Sequence, residues 1–443
     1  MGTALVIGLG VTGEAVSRQL LRRGEDVVVV DDRVTAEKEA VAAGLGLAIV
    51  GAPSERELAD LVAAADLVLP SPGVPAGHPA YRLAGGRGVP VWSEFELATR
   101  WAPDVPLVAV TGTNGKTTVT TVVTDMLVAA GRKAVAAGNN ELPLVDALDL
   151  DLDVVVVEAS SFRLLHAPSF RPRVGTWLNL AEDHLDWHPD MAHYVAAKAR
   201  IWANQGGDDL AVANADDPVV LEAHRAARGR RQTFAVAGAA DFWWDRETGQ
   251  LRGPEGLVVV AVDDLSRRRP HDLANALAAT ATALGAGATV DACAAVLRSF
   301  QGLPHRVELV RDAGGVRWYD DSKATTPASV VAAVSGFESV VLIAGGRNKG
   351  LSFAPMAAVA DRVRAVVAIG EAAPEVEAAF AGGPPVVVAR SMDEAVARAA
   401  AVARPGDAVL LSPGCASQDW YGNYAERGRD FARAVDEHVG RAP

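Results

Sequence analysis

The sequence predicts an α/β protein built as three domains in series. Three observations carry that prediction. Short apolar runs rich in Val, Ile and Leu recur between helical stretches along the whole chain, the pattern of parallel strands buried on both faces. Two of those runs end in glycine-rich turns that open helices. The length of 443 residues, at about 150 per domain, amounts to about three domains. Hydrophobic residues make up 50% and charged residues 22%, which excludes a disordered chain. Aromatics are only 5%, so the core must rest on Val, Leu, Ile and Ala.

The elements follow in order. In the first domain, residues 1–93, Ala4 to Ile7 reads as a strand, followed by a glycine turn and a helix from about Glu14 to Arg23. Val27 to Val30 is the next strand, ending at Asp31 and Asp32. Leu67 to Leu69 is another, stopped by Pro70-Ser71-Pro72-Gly73. The second domain, residues 94–302, opens with the strand Leu107 to Val110, then a second glycine-rich turn and a helix. Val154 to Val157, Leu210 to Val212 and Thr233 to Val236 read as further strands. The stretch around Trp243, Trp244 and Asp245 reads as an antiparallel insertion, and helices follow at Leu273 onward and at Asp291 to Phe300. The third domain, residues 303–443, alternates helices with the strands Val340 to Ala344, Ala365 to Ile369, Val386 to Val388 and Ala408 to Leu411.

Charge and cysteine content narrow the classes of function. With 55 acids against 42 bases the net charge is −13, a poor basis for coating nucleic acid or an anionic membrane. Anionic small ligands answer to local charge and stay open. Two cysteines, Cys293 and Cys415, cannot build a disulfide framework and fit a reducing compartment. The N-terminus lacks the basic start of a signal peptide. The uncharged stretch Leu273 to Val290 is broken by Asn275, three threonines and two glycines, so it reads as a helix with its trailing loop, not a membrane span. A cytoplasmic protein is expected.

Gly8-Leu9-Gly10-Val11-Thr12-Gly13 matches G-x-G-x-x-G between a strand and a helix, with acids at Asp31 and Asp32 after the next strand. Such a turn presents backbone N–H groups and a helix N-terminus to a diphosphate. A dinucleotide cofactor satisfies it, and so does any other nucleotide diphosphate. Thr111-Gly112-Thr113-Asn114-Gly115-Lys116-Thr117-Thr118 is a second phosphate loop, with Val110 at the place of the usual first glycine. Its amides can wrap phosphates, Lys116 can supply charge to the β/γ oxygens, and Thr117 can ligate Mg²⁺. ATP is the expected ligand. Glu158, at the end of the strand Val154 to Val157, places a carboxylate at the edge where parallel sheets carry their sites.

Other polar clusters are less specific alone. Asn179 to His188 is dense in His and carboxylate, and His184 is the member whose setting points to metal or phosphate chemistry. His188 and His193 read as structural. Lys198, on a helical stretch, reads as a solvated lysine. His271 and Asn275 share a helix face and can meet an adenine edge or cap a core helix. Arg306, Lys323 and Lys349 each offer a base near a predicted strand end, and Ser412 to Trp420 forms a polar loop after another. Cys415 in that loop reads as a small packing residue.

Taken in order, these motifs resemble the Mur ligase family of peptidoglycan synthesis over nearly the whole chain. Thr111–Thr118, Glu158-Ala159-Ser160-Ser161-Phe162 and Asn179 through Asp186 carry the general resemblance. Ser71-Pro72-Gly73-Val74, Leu303-Pro304-His305-Arg306, Asp321-Ser322-Lys323-Ala324-Thr325 and Ser412 through Gly428 resemble its glutamate-adding members. The resemblance implies Rossmann-like first and third domains around a P-loop-type ATP-binding middle domain. It implies an ATP-dependent ligase that joins glutamate, D-glutamate foremost, to UDP-N-acetylmuramoyl-L-alanine through an acyl phosphate.

The UDP-sugar would meet Val11, Thr12, Asp31, Asp32, Arg33, Gly73, Asn139 and Ser160. ATP would meet Gly112, Thr113, Asn114, Gly115, Lys116, Thr117, Thr118, Asn275, Arg306 and Asp321. Two Mg²⁺ ions would be held by Thr117, Glu158, His184 and a carbamylated Lys198. Glutamate would meet Thr325, Lys349, Ser417 and Tyr424. Lys116, His184, Lys198 and Lys323 would be the catalytic group. Domain closure would bring Arg306, Asp321 and Lys323 to bear, and the chain would act as a monomer on small molecules alone.

Three positions depart from the family pattern. Gly138-Asn139-Asn140-Glu141 stands where Gly-Asn-Ile-Gly is usual, Arg163 where Gln is usual, and Asn348 where Asp precedes the lysine. Addition of L-glutamate is the nearest alternative. A nicotinamide-dependent oxidoreductase built on Gly8–Gly13 is the rival from another class, and it leaves Thr111–Thr118 without a role. A P-loop regulator or motor that merely binds and hydrolyses ATP leaves the muramoyl-type motifs without one.

Overall fold

The computed structural model describes residues 2–139 and 142–439. The chain packs as two units. One comprises Met1–Leu180, Trp187–Asp264 and Asn275–Ser299, and the other Ala181–Asp186, Leu265–Ala274 and Phe300–Pro443.

The first unit holds two sheets. Strands β1 (Thr3–Ile7), β2 (Asp26–Asp31), β3 (Ile49–Gly51) and β4 (Leu67–Pro70) form a parallel sheet in the order β3-β2-β1-β4. The helix Val11–Arg22 starts directly after Gly10, three residues earlier than the apolar pattern indicates. Because β1 lies between β2 and β4, the glycine turn that follows it opens where the strand order reverses, the usual crevice of a doubly wound sheet.

The other sheet contains β5 (Leu107–Thr111), β6 (Ala134–Gly138), β7 (Val154–Glu158), β8 (Val174–Trp177), β9 (Leu210–Asn214) and β10 (Arg230–Ala235). It continues into β11 (Phe242–Asp245), β12 (Gln250–Arg252) and β13 (Val258–Ala261), in the order β13-β12-β11-β10-β9-β8-β5-β7-β6. Pairing is parallel up to β11, and β11-β12-β13 is the antiparallel insertion. β5 lies between β7 and β8, so its phosphate loop also opens at a reversal of strand order. The two sheets share one core: Val6, Leu20 and Leu69 belong to the same buried cluster as Phe95, Ala109 and Val157. Each fully buried Val, Leu or Phe contributes about 1.5–3 kcal/mol, which makes this shared core the main bond between them.

The second unit holds β14 (Glu308–Ala313), β15 (Val316–Asp320), β16 (Val340–Gly345), β17 (Val363–Ile369), β18 (Val386–Ala389) and β19 (Ala408–Leu411), in the order β14-β15-β19-β16-β17-β18. Only β14–β15 is antiparallel. Each face has its own core. One gathers Val330, Leu342 and Met356, and the other gathers Trp318, Ile343 and Phe431. The C-terminal ends of β15, β16 and β19 lead directly into Asp321, the Gly345-Gly346 turn and Ser412. Among the described residues no helix is long and apolar enough to cross a membrane.

Candidate active site

The middle sheet builds the phosphate loop first. After β5 the chain turns through Gly112 and Gly115, both at positive φ (156° and 86°), and enters the helix Lys116–Ala129. A Cβ on Gly115 would lie 2.7 Å from Asn275 Oδ1, so the Asn275 side chain covers the loop and only glycine fits beneath it. Asn179 fastens the loop from the other side. Its Oδ1 accepts the amides of Thr113 (3.1 Å) and Asn114 (2.8 Å), and its Nδ2 donates to the Asn114 carbonyl (3.1 Å). Asn179 was legible only as part of a polar cluster; its role as loop clamp needs the tertiary contact. Lys116 Nζ lies over the loop, donating to the carbonyls of Gly112 (2.8 Å) and Thr113 (2.9 Å).

Two carbonyl-facing cations meet here. Lys198, 1% exposed, donates from Nζ to the same Gly112 carbonyl at 2.7 Å and stands 4.5 Å above the Tyr194 ring. It is buried, not the solvated lysine that its helical position indicates. Its helix, Met191–Ala199, packs it inward. Glu158 is 3% exposed at the end of β7, level with Val110 of β5. Its Oε1 accepts from Asn139 Nδ2 at 3.2 Å, while its buried Oε2 has no hydrogen-bond partner. A buried carboxylate oxygen left open beside a phosphate loop is costly unless a cation completes it. Thr117 and Glu158 therefore suit a hard divalent ion. A bare ammonium at Lys198 does not, since it brings positive charge instead of a ligand oxygen. His184 belongs to the second unit, and Thr117, Glu158 and Lys198 belong to the first. Its backbone adopts φ 56°, and its ring Nε2 is 3.3 Å from Asp183 Oδ2.

The N-terminal sheet presents a cavity of about 680 Å³ whose lining includes Gly10, Thr12, Asp32, Arg33, Gly73 and Asn139. A Cβ on Gly13 would lie 2.0 Å from the Gly8 carbonyl, so this glycine is required for helix–turn packing, whereas Gly10 and Gly73 face open space. Asp31 is fully engaged. Its oxygens accept the amides of Leu9 (2.7 Å) and Arg33 (2.8 Å) and both bonds of Lys38 Nζ (2.7 and 2.6 Å). Burial pushes its carboxyl up, but Lys38 and the two amides outweigh that and hold it below the ordinary value. Protein donors thus occupy the Asp31 carboxylate, and Asp32 is the carboxylate of this turn that still faces the cavity. Asp32 is exposed, with His78 Nε2 at 3.4 Å. Ser160 caps the short helix Ser161–Leu165 through the Arg163 amide.

Arg163, a departure from the family pattern, joins these parts. It is 5% exposed and donates to Glu94 Oε1 (2.8 Å), Asn139 Oδ1 (2.7 Å) and Thr12 Oγ1 (3.1 Å). Asn139 thus bridges Glu158 to Arg163. The other residues of that departure, Asn140 and Glu141, lie outside the described residues. His188, read as structural, is fully buried between Ser161 Oγ and His193 Nδ1, each at 2.8 Å.

In the second unit Asp321 is buried, accepting from Ser412 Oγ (2.8 Å) and the Val307 amide (3.3 Å). Burial pushes its carboxyl up to about 7, against the opposing pull of Ser412 and Arg306. Lys323 Nζ lies 4.7 Å above the Tyr424 ring. Ser417 Oγ is buried without a hydrogen-bond partner, Thr325 is half-buried and Lys349 is exposed. Arg427, which no motif singles out, ties these loops together. Its guanidinium is 1% exposed and donates to Ser322 Oγ and to the carbonyls of Ser322, Cys415 and Ala416. Cys415 is a packing residue, its thiol pushed up to about 12 by burial. Asn348 is closed on its own loop, exchanging both side-chain bonds with the Leu351 backbone.

A phosphate loop at one switch point and a diphosphate-sized turn at another define a nucleotide-using α/β enzyme with a separate C-terminal lobe. Comparison with known proteins resolves its kinship. The family model described as the Mur ligase MurD-like N-terminal domain matches residues 2–93, the Mur ligase middle domain 110–283, and the Mur ligase glutamate ligase domain 305–415. The UDP-N-acetylmuramoylalanine–D-glutamate ligase of Frankia casuarinae is 44% identical, over 98% of this chain and 94% of that one. The protein of the same name from Desulfosudis oleivorans is 42% identical, over 97% and 95%. Among solved structures, a pseudomurein peptide ligase type C from Methanothermus fervidus aligns with a TM-score of 0.62 at 18% identity, covering 93% of this chain and 96% of that one. The UDP-N-acetylmuramate-alanine ligase of Thermotoga maritima aligns at 0.60 and 20% identity, covering 98% and 99%. At that identity these two show the fold alone. The chain belongs to the Mur ligase family.

Proposed function

We propose that this chain joins D-glutamate to UDP-N-acetylmuramoyl-L-alanine, consuming ATP and releasing ADP and phosphate, in the cytoplasm where peptidoglycan precursors are made. The observation that carries the reading is the open, buried Oε2 of Glu158 beside the loop Gly112–Thr118. It is joined by 40–44% identity to several ligases of that name over nearly the full chain. D-Glutamate is preferred over L-glutamate because the relatives of 40–44% identity are named for D-glutamate.

The reaction starts when the terminal carboxylate of the sugar-linked alanine attacks the γ-phosphate of ATP. The resulting acyl phosphate is attacked by the glutamate amine, and phosphate leaves. Two anions must first approach each other, so the chain's work is positioning and charge compensation. Lys116 offsets charge on the phosphates, and Lys323 on the anionic reactants. The loop amides of Gly112 to Thr118 orient the nucleotide, with Asn275 at the adenine and Arg306 and Asp321 assigned to it from the second unit. Val11, Thr12, Asp32, Arg33 and Gly73 hold the UDP group. Asp31 acts by shaping their turn, while Asn139 and Ser160 face the muramoyl part. Thr325, Lys349, Ser417 and Tyr424 take the glutamate. Bound Mg²⁺ would supply charge neutralisation at the transferring phosphoryl group, held by Thr117, Glu158, His184 and Lys198. Carbamylation of Lys198 would turn a buried cation into the anionic ligand such an ion needs.

The test is phosphate release from ATP with UDP-N-acetylmuramoyl-L-alanine plus D-glutamate, L-glutamate or neither. Sustained release only with D-glutamate is expected. Equal release without the sugar substrate would refute the ligase reading, and faster release with L-glutamate would reverse the stereochemical assignment.

A further inference from the structure

The second unit carries a cavity of about 770 Å³ that no step of the ligase reaction uses. It lies at the opposite edge of the sheet from the candidate site. Its lining takes in Arg317 and Ala408, at the starts of β15 and β19, and Ser339 and Arg362, just before β16 and β17. Asp321, Gly345 and Ser412 lie at the other ends of those strands. With four to six residues between at about 3.3 Å each, the two edges are roughly 15 Å apart.

Four arginines line this cavity, Arg268, Arg269, Arg317 and Arg362, against one acid, Glu338. In a chain with 55 acids and 42 bases that local balance is inverted. Arg269 is anchored. Its guanidinium stacks on Phe337 at 4.5 Å and Tyr319 at 5.1 Å, with Asp272 Oδ2 at 3.7 Å. Arg362 donates one Nη1 bond to the Phe337 carbonyl at 2.8 Å, which leaves most of its five N–H donors over. Arg317 is exposed and has no ion pair among the described residues. Structural duty therefore accounts for part of the cluster only. Arginines lining one concavity suit phosphate oxygens, which a planar guanidinium fork can grip in pairs.

We propose that this cavity binds a small polyanion carrying two or more linked phosphates, at a site separate from the ATP site. The test reads hydrogen exchange of the full chain with inorganic tripolyphosphate, and its affinity by equilibrium dialysis. Protection is expected at 316–319 and 335–339, and it should persist in Lys116→Ala, which disables the phosphate loop. Arg317→Ala with Arg362→Ala should weaken binding at least tenfold while leaving ligase activity without polyphosphate unchanged. Glu338→Gln, which removes the opposing charge and keeps both arginines, should tighten it. Adding ATP to Lys116→Ala separates the two sources: displacement at lower concentration than tripolyphosphate itself assigns the site to nucleotides, and at higher concentration to inorganic polyphosphate. Protection confined to 112–118, or undiminished in the double arginine variant, overturns the proposal. The outcome is independent of the glutamate-ligase reading, since neither the dialysis nor the hydrogen-exchange readout requires turnover.

Discussion

Arg163 and Glu94 show how much one buried pair can organise. Glu94 is fully buried, and burial pushes its carboxyl up against the pull of the Arg163 guanidinium 2.8 Å away. The same guanidinium reaches Thr12 in the first sheet's turn and Asn139 after β6, so the pair fixes one domain's substrate turn to the other's. Replacing Arg163 by Gln leaves Glu94 buried without its cation. Breaking such a pair costs about 3–5 kcal/mol, whereas removing both charges is close to neutral. Arg163→Gln should therefore lower the urea midpoint strongly, and Glu94→Gln added to it should restore most of the loss. A single variant as stable as the parent would mean that water, not Arg163, satisfies Glu94. The pair was invisible in the sequence because its members stand 69 residues apart. Arg427 and Asn179 were hidden for the same reason: each acts on loops distant in sequence.

At the scale of elements, glycine geometry decides where the phosphate loop works. Gly115 begins the helix Lys116–Ala129 at φ 86°, with Asn275 Oδ1 and Leu178 Cδ1 where a Cβ would go. Gly115→Ala adds about 1–2 kcal/mol of backbone strain and pushes Asn275 aside. The fold should survive with a modest drop in melting temperature, while KM for ATP rises at least tenfold; an unchanged KM would show that the loop tolerates a side chain there. This loop was legible because all its residues are contiguous. The strands told the same story. β19 matches the apolar run Ala408 to Leu411 end to end, and β5, β7 and β16 extend theirs by one residue. Among the strands that escaped, β12 and β13 lie beyond the stretch around Trp243 to Asp245 that marked the insertion, β3 has three residues, and β6 and β8 read AVAAG and VGTW. Alanine and glycine weaken the β signal, and only their places beside β7 and β5 make these segments strands. β14 and β15 alternate charge with apolar residues and form the antiparallel edge of their sheet, which the search for continuous apolar runs passes over.

For the molecule as a whole, the charge balance and the local chemistry point in different directions, and the local chemistry governs function. The net charge of −13 repels anionic substrates at long range, yet Lys116 and Lys198 both converge on the Gly112 carbonyl, and Lys323 stands over Tyr424. Screening within about 8–10 Å at ordinary salt makes the remote acids count for little at these points. What the charges are arranged to do is bring a carboxylate to a phosphate, and that step leaves a chemical trace. If the alanine carboxylate attacks the γ-phosphate, one of its oxygens must leave with the phosphate when the glutamate amine displaces it. With both carboxyl oxygens of the substrate labelled as ¹⁸O, the released phosphate should carry one ¹⁸O per turnover, read by mass spectrometry or ³¹P NMR. Direct hydrolysis of ATP by water would give unlabelled phosphate, because no carboxyl oxygen then reaches phosphorus. Labelled phosphate together with amide product is the pair of results that acyl phosphorylation requires, and unlabelled phosphate at full turnover is incompatible with it.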